Sequence, residues 1–490
     1  MNKQVSQMGV VALVLLAALI VGTTYWQTWA NASLAERQDN DIRLVAQFTI
    51  KRGKIYASDG RTLLATNVPK RVGGRTLYFR RYPSGPLFSA VVGYSTSTRS
   101  QAGLERSYND YLTGSNANLD TVFRSAVDRL RGATVTGNDL VLTIRPGVQA
   151  LARRLLQGKC GAVVALEPAT GRVLAMVTNP TYNPNLIEKR FGLATRTTGP
   201  CRSPLLNRAT AGTYIPGSTF KIITAAAALD TGRFTPDSPF NDPGYCIEYG
   251  KQVRNAGNPE APETFGSVNF AFGFQHSVNS VFCNIGKQLG AGTILRYADR
   301  FGFYSLPPLE TPENERVESG LYSRGRLFIP KQPQFQVDPG RLAFGQERLQ
   351  VTPLQMAMVA AAVANHGALM RPTLIERIVS PGGKTITHLK PQQIGRPIKR
   401  QTADELTQMM ELAVRGGTGT AAQIPGIRVA GKTGTAETGR RNVHTTSFVA
   451  FAPAEAPRIA IAVFVENQLG GFGGTVAAPI AKQVMEALLR

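Results

Sequence analysis

Histidine and cysteine are scarce in this chain. Among 490 residues there are four histidines (His276, His366, His388 and His444) and four cysteines (Cys160, Cys201, Cys246 and Cys283). No two cysteines form a C-x-x-C pair, and no H-E-x-x-H or zinc-finger spacing occurs, so no metal centre is expected. Four cysteines allow three full pairings, which spacing does not rank; buried reduced thiols are an equally good reading. Acidic side chains are short too, 32 against 55 basic ones, for a formal net charge of +23. Such an excess favours polyanionic surroundings, whether nucleic acid, anionic lipid or an anionic cell envelope, and does not choose among them. Long apolar runs are equally sparse. Met8 to Trp29 is almost wholly apolar and uncharged, and Tyr25, Trp26 and Trp29 stand at its end. About twenty such residues span a bilayer, and the aromatics suit its interface. Ala30-Asn31-Ala32 resembles a signal-peptidase site. It lies far from the apolar centre for a cleaved signal, so residues 1–30 are read as a cytoplasmic tip and a single transmembrane anchor. Either reading exports the rest of the chain, which undercuts a nucleic-acid partner. Lys3 before the run, with Arg37 and Arg43 after it, gives little charge asymmetry, so orientation rests on the chemistry of the body.

With 43% hydrophobic and 18% charged residues the chain reads as globular, with room for two or three domains. Residues 31–138 are basic, turn-rich and free of histidine. Lys54 to Thr66 predicts a hairpin with a two-residue turn at Asp59-Gly60. Gly73-Gly74 and Tyr82-Pro83-Ser84-Gly85-Pro86 punctuate further strands, and Gln101 to Leu112 reads as helical. This region offers few catalytic constellations and is read as a pedestal. At residue 139 the texture changes, and 139–490 is read as one catalytic domain. Leu140 to Ile144 predicts a strand and Pro146 to Leu156 an amphipathic helix. Gly161 to Leu166 and Arg172 to Val177 predict a buried hairpin. Three late runs, Arg428 to Ala436, Ser447 to Phe451 and Arg458 to Val465, predict strands, and Ala477 to Leu489 a closing helix. Strands early and late with helices between imply an α+β fold: an antiparallel sheet with flanking helices and an inserted all-helical lobe.

The run Tyr214-Ile215-Pro216-Gly217-Ser218-Thr219-Phe220-Lys221 opens the most apolar of these helices. Pro216-Gly217 turns the chain, Ser218 is a favoured helix starter, and Thr219 to Leu229 has no breaker. Ser218 and Lys221 are three apart and share a face. Burial and the positive end of the helix dipole both favour a neutral lysine amine, which can take a proton from a serine hydroxyl and make it a nucleophile. Taken alone, the pair is as readily a helix cap followed by a lysine whose stem lies over apolar surface. Two further motifs change the balance. Ser277-Val278-Asn279 stands 59 residues on (277 minus 218), and Lys432-Thr433-Gly434 a further 155 (432 minus 277), on a strand-like run with Gly431 and Thr435. Ser267-Val268-Asn269 has the same form and is read as a decoy.

Ser-x-x-Lys, Ser-x-Asn and Lys-Thr-Gly in this order resemble the transpeptidase domain of a class B penicillin-binding protein, over roughly Asp139 to Arg490. Supporting runs are Leu205-Leu206-Asn207-Arg208-Ala209, Gly345-Gln346 with Thr352-Pro353-Leu354-Gln355, and Gly417-Thr418-Gly419; Glu347 stands where the family leads one to expect glycine. The resemblance implies the serine β-lactamase and penicillin-binding transpeptidase fold and a peptidoglycan D,D-transpeptidase that β-lactam antibiotics acylate. It implies Ser218 as nucleophile, Lys221 as its base, and Ser277 and Asn279 as relay and support. Lys432 is then a positive charge in the same cleft. Thr433 and Thr435 grip the substrate carboxylate, and Gly431 and Gly434 let a peptide lie along the strand. The N–H groups of Ser218 and Thr435 form the oxyanion hole. No cofactor is implied. The implied partners are peptidoglycan stem peptides, the membrane and a glycan polymerase of the SEDS family. A D,D-carboxypeptidase, a β-lactamase, a β-lactam sensor and a non-catalytic scaffold are the competing readings. His276 and His444 are read as packing or loop residues.

Overall fold

The N-terminal apolar run forms the helix Asn2–Thr24. Its segment Gln7–Thr24 has a mean hydropathy of 2.1 and is not buried by any of the other described residues. It is long and apolar enough to cross a membrane. This computed structural model describes residues 2–25, 48–97, 100–116, 119–197, 201–258, 261–388 and 390–490. Trp26, Trp29 and Ala30-Asn31-Ala32 lie outside the described residues.

A six-stranded sheet follows, in the order Thr385–His388, Ile375–Val379, Asp139–Leu142, Ile55–Tyr56, Leu63–Val72, Arg75–Arg81. Asp139–Leu142 runs parallel to Ile55–Tyr56 and antiparallel to Ile375–Val379, so the sheet is completed by residues on both sides of position 139. The hairpin at Asp59-Gly60 is real, but its turn is longer than the two residues expected. Ala57 N–H donates to the Thr62 carbonyl, and Asp59 Oδ1 accepts from the N–H groups of Arg61 and Thr62. Gly73 and Gly74, both at positive φ, make the tight turn between Val72 and Arg75. Under this sheet Glu105 is wholly buried between Arg52 and Arg80, at 2.9 and 2.7 Å. Burial pushes its carboxyl up, but the two guanidiniums hold it below the usual carboxylate range.

The second sheet is antiparallel throughout, in the order Ala430–Glu437, Val443–Ala452, Ile459–Leu469, Gly161–Leu166, Val173–Asn179. Its central strands are continuous apolar runs because both faces are covered. Alternate residues feed separate cores: Ala162, Val164, Ala460, Ala462 and Phe464 meet the helix Pro353–Ala364, while Val163, Ala165, Ile461 and Val463 meet Pro146–Leu155 and Ala478–Leu489. Thr352 starts Pro353–Ala364 by accepting from Gln355 N–H. Between the early and late strands lies the helical lobe, with Lys221–Asp230, Phe270–Gln275, Asn279–Leu289, Ala291–Arg300 and Arg400–Arg415. The four cysteines pair as Cys160–Cys201 and Cys246–Cys283, one of the three arrangements left open by spacing.

Candidate active site

Ser218 does not cap its helix. Gly217 to Phe220 form a single 3-10 turn, and the α-helix begins only at Lys221. Gly217 sits at φ +52, and its N–H donates to the Gly345 carbonyl. Thr219 Oγ1 closes the turn on the Pro216 carbonyl at 2.8 Å. Among the described residues the Ser218 hydroxyl makes no hydrogen bond, so it is available rather than spent on a helix end. Gly345, at φ +80, also lies against this turn. A Cβ there would stand 2.2 Å from the Gly217 carbonyl oxygen, which is why the loop before Glu347 needs glycine. Glu347 itself turns aside to pair with Arg348 at 2.9 Å.

Lys221 is wholly buried at the start of the helix. Its Nζ donates to the Ser277 carbonyl at 2.7 Å and to Asn279 Oδ1 at 2.8 Å, lies 3.2 Å from Ser277 Oγ, and sits 5.0 Å above the Phe282 ring. Ser277 reaches it from φ +60, a conformation rare outside glycine and asparagine that aims its carbonyl at the amine. Burial drives the Lys221 amine well below its ordinary value, and the charge of Lys432 pushes it the same way. Asn279 opens the helix Asn279–Leu289. The decoy Asn269 instead caps Phe270–Gln275, accepting from Phe272 N–H at 2.8 Å. His276 stacks on Phe272, ring centroids 4.2 Å apart, and His444 Nδ1 lies 3.1 Å from the Gly471 carbonyl oxygen. Neither histidine faces the lysines through a hydrogen bond.

Lys432 comes from the edge strand Ala430–Glu437, which packs beside the 3-10 turn. It too is wholly buried, with Nζ 5.8 Å from the Phe274 ring, and burial pushes its amine down to about 7. Thr433 Oγ1 is 2.6 Å from Thr418 Oγ1, and Thr435 Oγ1 accepts from Gly473 N–H. The two glycines serve the strand's own neighbours. A Cβ on Gly431 would strike Phe448, and one on Gly434 would strike Ser447, Pro216 and Thr219. The smallness of Gly434 therefore seats the strand against the Gly217–Phe220 turn, and that of Gly431 seats it against the neighbouring strand. The residues singled out in sequence are thus gathered in one place, from three separate segments.

The penicillin-binding protein transpeptidase domain family matches residues 161–486, and the penicillin-binding protein A dimerisation domain family matches 52–140. The peptidoglycan D,D-transpeptidase PbpA of Mycolicibacterium smegmatis is 35% identical over 514 residues, covering 100% of this chain and 99% of that protein. The chain belongs to the penicillin-binding transpeptidase family. Solved relatives agree. Penicillin-binding protein A of M. tuberculosis, as its penicillin G acyl-enzyme complex, superposes with a TM-score of 0.76 at 34% identity, over 90% of this chain and 100% of that one. A D,D-transpeptidase domain from Eggerthella lenta gives 0.75 at 32% identity, over 90% and 98%. This penicillin-binding transpeptidase has the α+β fold expected from its motifs, together with an N-terminal domain of the dimerisation type. Three parts of its cleft escaped the sequence reading. Phe274 and Phe282 offer their rings to the two lysines, and Thr418 holds Thr433; only the Gly417-Thr418-Gly419 run hinted at the last. The third part, the Asp242–Asn255 loop, carried no motif at all.

Proposed function

We propose that Ser218 is the nucleophile of a peptidoglycan D,D-transpeptidase reaction, with Lys221 as its base. One observation carries this: the amine of Lys221 is bound by two groups that only accept, the Ser277 carbonyl and Asn279 Oδ1. A neutral amine has two N–H bonds and one lone pair. With both N–H bonds committed, the lone pair is left for a hydroxyl, either Ser277 Oγ or Ser218 Oγ. Burial favours the neutral amine, whose lone pair is then free.

The reaction then balances as two acyl transfers. Ser218 Oγ attacks the carbonyl between the two terminal D-alanines of a stem peptide and gives its proton to Lys221. The N–H groups of Ser218 and Thr435 hold the oxyanion, each such donor being worth about 100- to 1,000-fold in rate. The departing D-alanine amine takes a proton from Ser277 Oγ, which is resupplied by Lys221. An amine of a second stem peptide attacks the ester, forms the crosslink and returns a proton to Ser218. A β-lactam enters at the first step, and its ring opens onto Ser218. Lys432 and the hydroxyls of Thr433 and Thr435 receive the substrate carboxylate, and Gly434 keeps that strand close to Ser218. The test is labelling with fluorescent penicillin: wild-type protein is labelled, whereas Ser218→Ala melts normally and stays dark. Labelling of Ser218→Ala would sink the assignment.

The same reading puts residues 48–490 outside the cytoplasmic membrane on a single-pass anchor, where stem peptides are found. A C-terminal tag should be open to protease added to cells whose cytoplasmic membrane is intact; a protected tag would reverse the topology. The partner proposed is a SEDS-family glycan polymerase, bound through the anchor and the N-terminal domain. Co-purification of the full chain with that polymerase should be lost when residues 1–138 are replaced, and unchanged recovery would refute the partnership.

A further inference from the structure

Asn279 meets Lys221 with one particular end of its carboxamide. Oδ1 accepts from Lys221, while Nδ2 donates to the main-chain oxygen of Arg254 at 3.0 Å. A carbonyl can only accept, so it selects which end of the amide faces it, and thereby which end is left for the lysine. Arg254 ends the hairpin formed by Tyr245–Glu248 and Lys251–Arg254. The next residue, Asn255, fastens that hairpin end to the site. Its main-chain N–H donates to the Gly244 carbonyl at 2.9 Å. Its Oδ1 accepts from Ser280 N–H at 3.1 Å, and its Nδ2 donates to both oxygens of Asp242 and to the Glu263 carbonyl, each at 2.9 Å. Asp242 is 1% exposed and is itself filled by the N–H groups of Gly244 and Phe265 and by Ser280 Oγ. Ser280 directly follows Asn279, in the first turn of a helix whose leading N–H groups need outside acceptors. Asn255 supplies one of them.

We propose that Asn255, braced on Asp242, is a positioning residue for acyl transfer: it fixes the Arg254 carbonyl that orients the Asn279 amide, and so presents an oxygen to Lys221. This rests on the roles assigned above to Lys221 and Asn279. A purely structural tie would also hold the hairpin, but the hairpin already has a second anchor on the same helix, the Cys246–Cys283 disulfide. That anchor lets the two roles be separated. Removing it loosens the hairpin without touching the amide chain, whereas removing the Asn255 side chain frees the amide and leaves the hairpin tethered.

The experiment uses the full-length protein and follows the second-order rate of acylation by fluorescent penicillin from pH 5 to 9, with melting measured in parallel. For Asn255→Ala the rate should fall by about 10- to 100-fold, the scale of a displacement near 1 Å in a reacting group. The acid limb of its pH profile should also move to lower pH, because Lys221 loses an acceptor that favours its ammonium form. Lys432 is the other charged side chain acting on Lys221, and it is unchanged in this variant. The double variant Cys246→Ser/Cys283→Ser should melt lower yet keep its pH profile and a rate within about threefold of wild type. Asn255→Ser is read by the same criteria if the alanine variant does not fold. An unshifted pH profile in a folded Asn255 variant, or the same loss and shift in the cysteine variant, overturns the inference. Ser218→Ala in the same assay separates the two levels of the reading. If it is labelled, the site assignment itself fails; if it is dark while the Asn255 variant behaves as wild type, only the positioning role fails.

Discussion

Gly434→Ala adds one methyl group at the seam between the Lys432 strand and the 3-10 turn that carries Ser218. The new Cβ would lie 2.3 Å from Ser447 Oγ, 2.8 Å from the Pro216 carbonyl oxygen and 2.9 Å from Thr219 Cγ2. The Ser447 hydroxyl can rotate away. The Pro216 oxygen cannot, because it belongs to the backbone and already accepts from Thr219 Oγ1. Ordinary contact begins near 3.4 Å, so the turn must retreat by roughly 0.6 Å (3.4 minus 2.8), and Ser218, two residues on, moves with it. Displacement on this scale costs up to about 100-fold in rate, and overpacking costs about 1–3 kcal/mol of stability. Gly431→Ala is the control. Its Cβ would lie 2.6 Å from Phe448 Cζ and 3.0 Å from Ala450 Cβ, on the face turned away from Ser218. Both variants should therefore melt lower by similar amounts, while only Gly434→Ala should lose about 10- to 100-fold in penicillin acylation, measured by stopped flow or gel fluorescence. A folded Gly434→Ala protein that acylates like wild type would refute the close fit between strand and turn. So would equal losses of acylation in both variants.

Two further outcomes follow from burial. Lys432 is held near 7 when folded against an ordinary value of 10.5, so between those values the unfolded chain binds the extra proton and stability should rise with pH. The slope is about 1.4 kcal/mol per pH unit for one such group. Below pH 7 the penalty of burying the charge is fully present, and it is relieved as pH climbs toward 10.5. Melting curves at pH 7 to 9 should show this rise in wild type and a shallower one in Lys432→Met; parallel curves would contradict it. For the cysteines, unfolding without reductant should expose no reactive thiol and unfolding with reductant four, as none is free in the folded protein. The Cys160–Cys201 bridge closes 41 residues, so its loss should cost about 4 kcal/mol by loop-closure entropy. A wild-type melting temperature in Cys160→Ser/Cys201→Ser would show that the loop is held by packing instead.

Residues that act through short local patterns could be read from the sequence, and those that act through a single distant side chain could not. Ser218, Lys221, Ser277, Asn279 and Lys432 each sit inside a three- or four-residue motif, and the order of the motifs along the chain identified them. The central strands were equally legible, since their uninterrupted apolar runs demand cover on both faces. The first error was at Ser218. Its position after Pro-Gly looks like a helix start, but Gly217 takes a positive φ and Thr219 closes a 3-10 turn on Pro216, so the helix begins three residues later than Ser218. A turn placed there leaves the serine hydroxyl unspent, which a true cap would not do. Ile375–Val379 and Thr385–His388 join a sheet begun some three hundred residues earlier, and no local pattern records that pairing. Asn255 is the sharpest case. It stands in a stretch rich in glycine, proline and asparagine, and nothing nearby distinguishes it from Asn258 or Asn269. What sets it apart is that Asp242 and Ser280, reached over 13 and 25 residues, converge on its amide. An amide has one acceptor end and one donor end, so it can bind both only in one orientation. That constraint passes through the Arg254 carbonyl to Asn279 and so to Lys221.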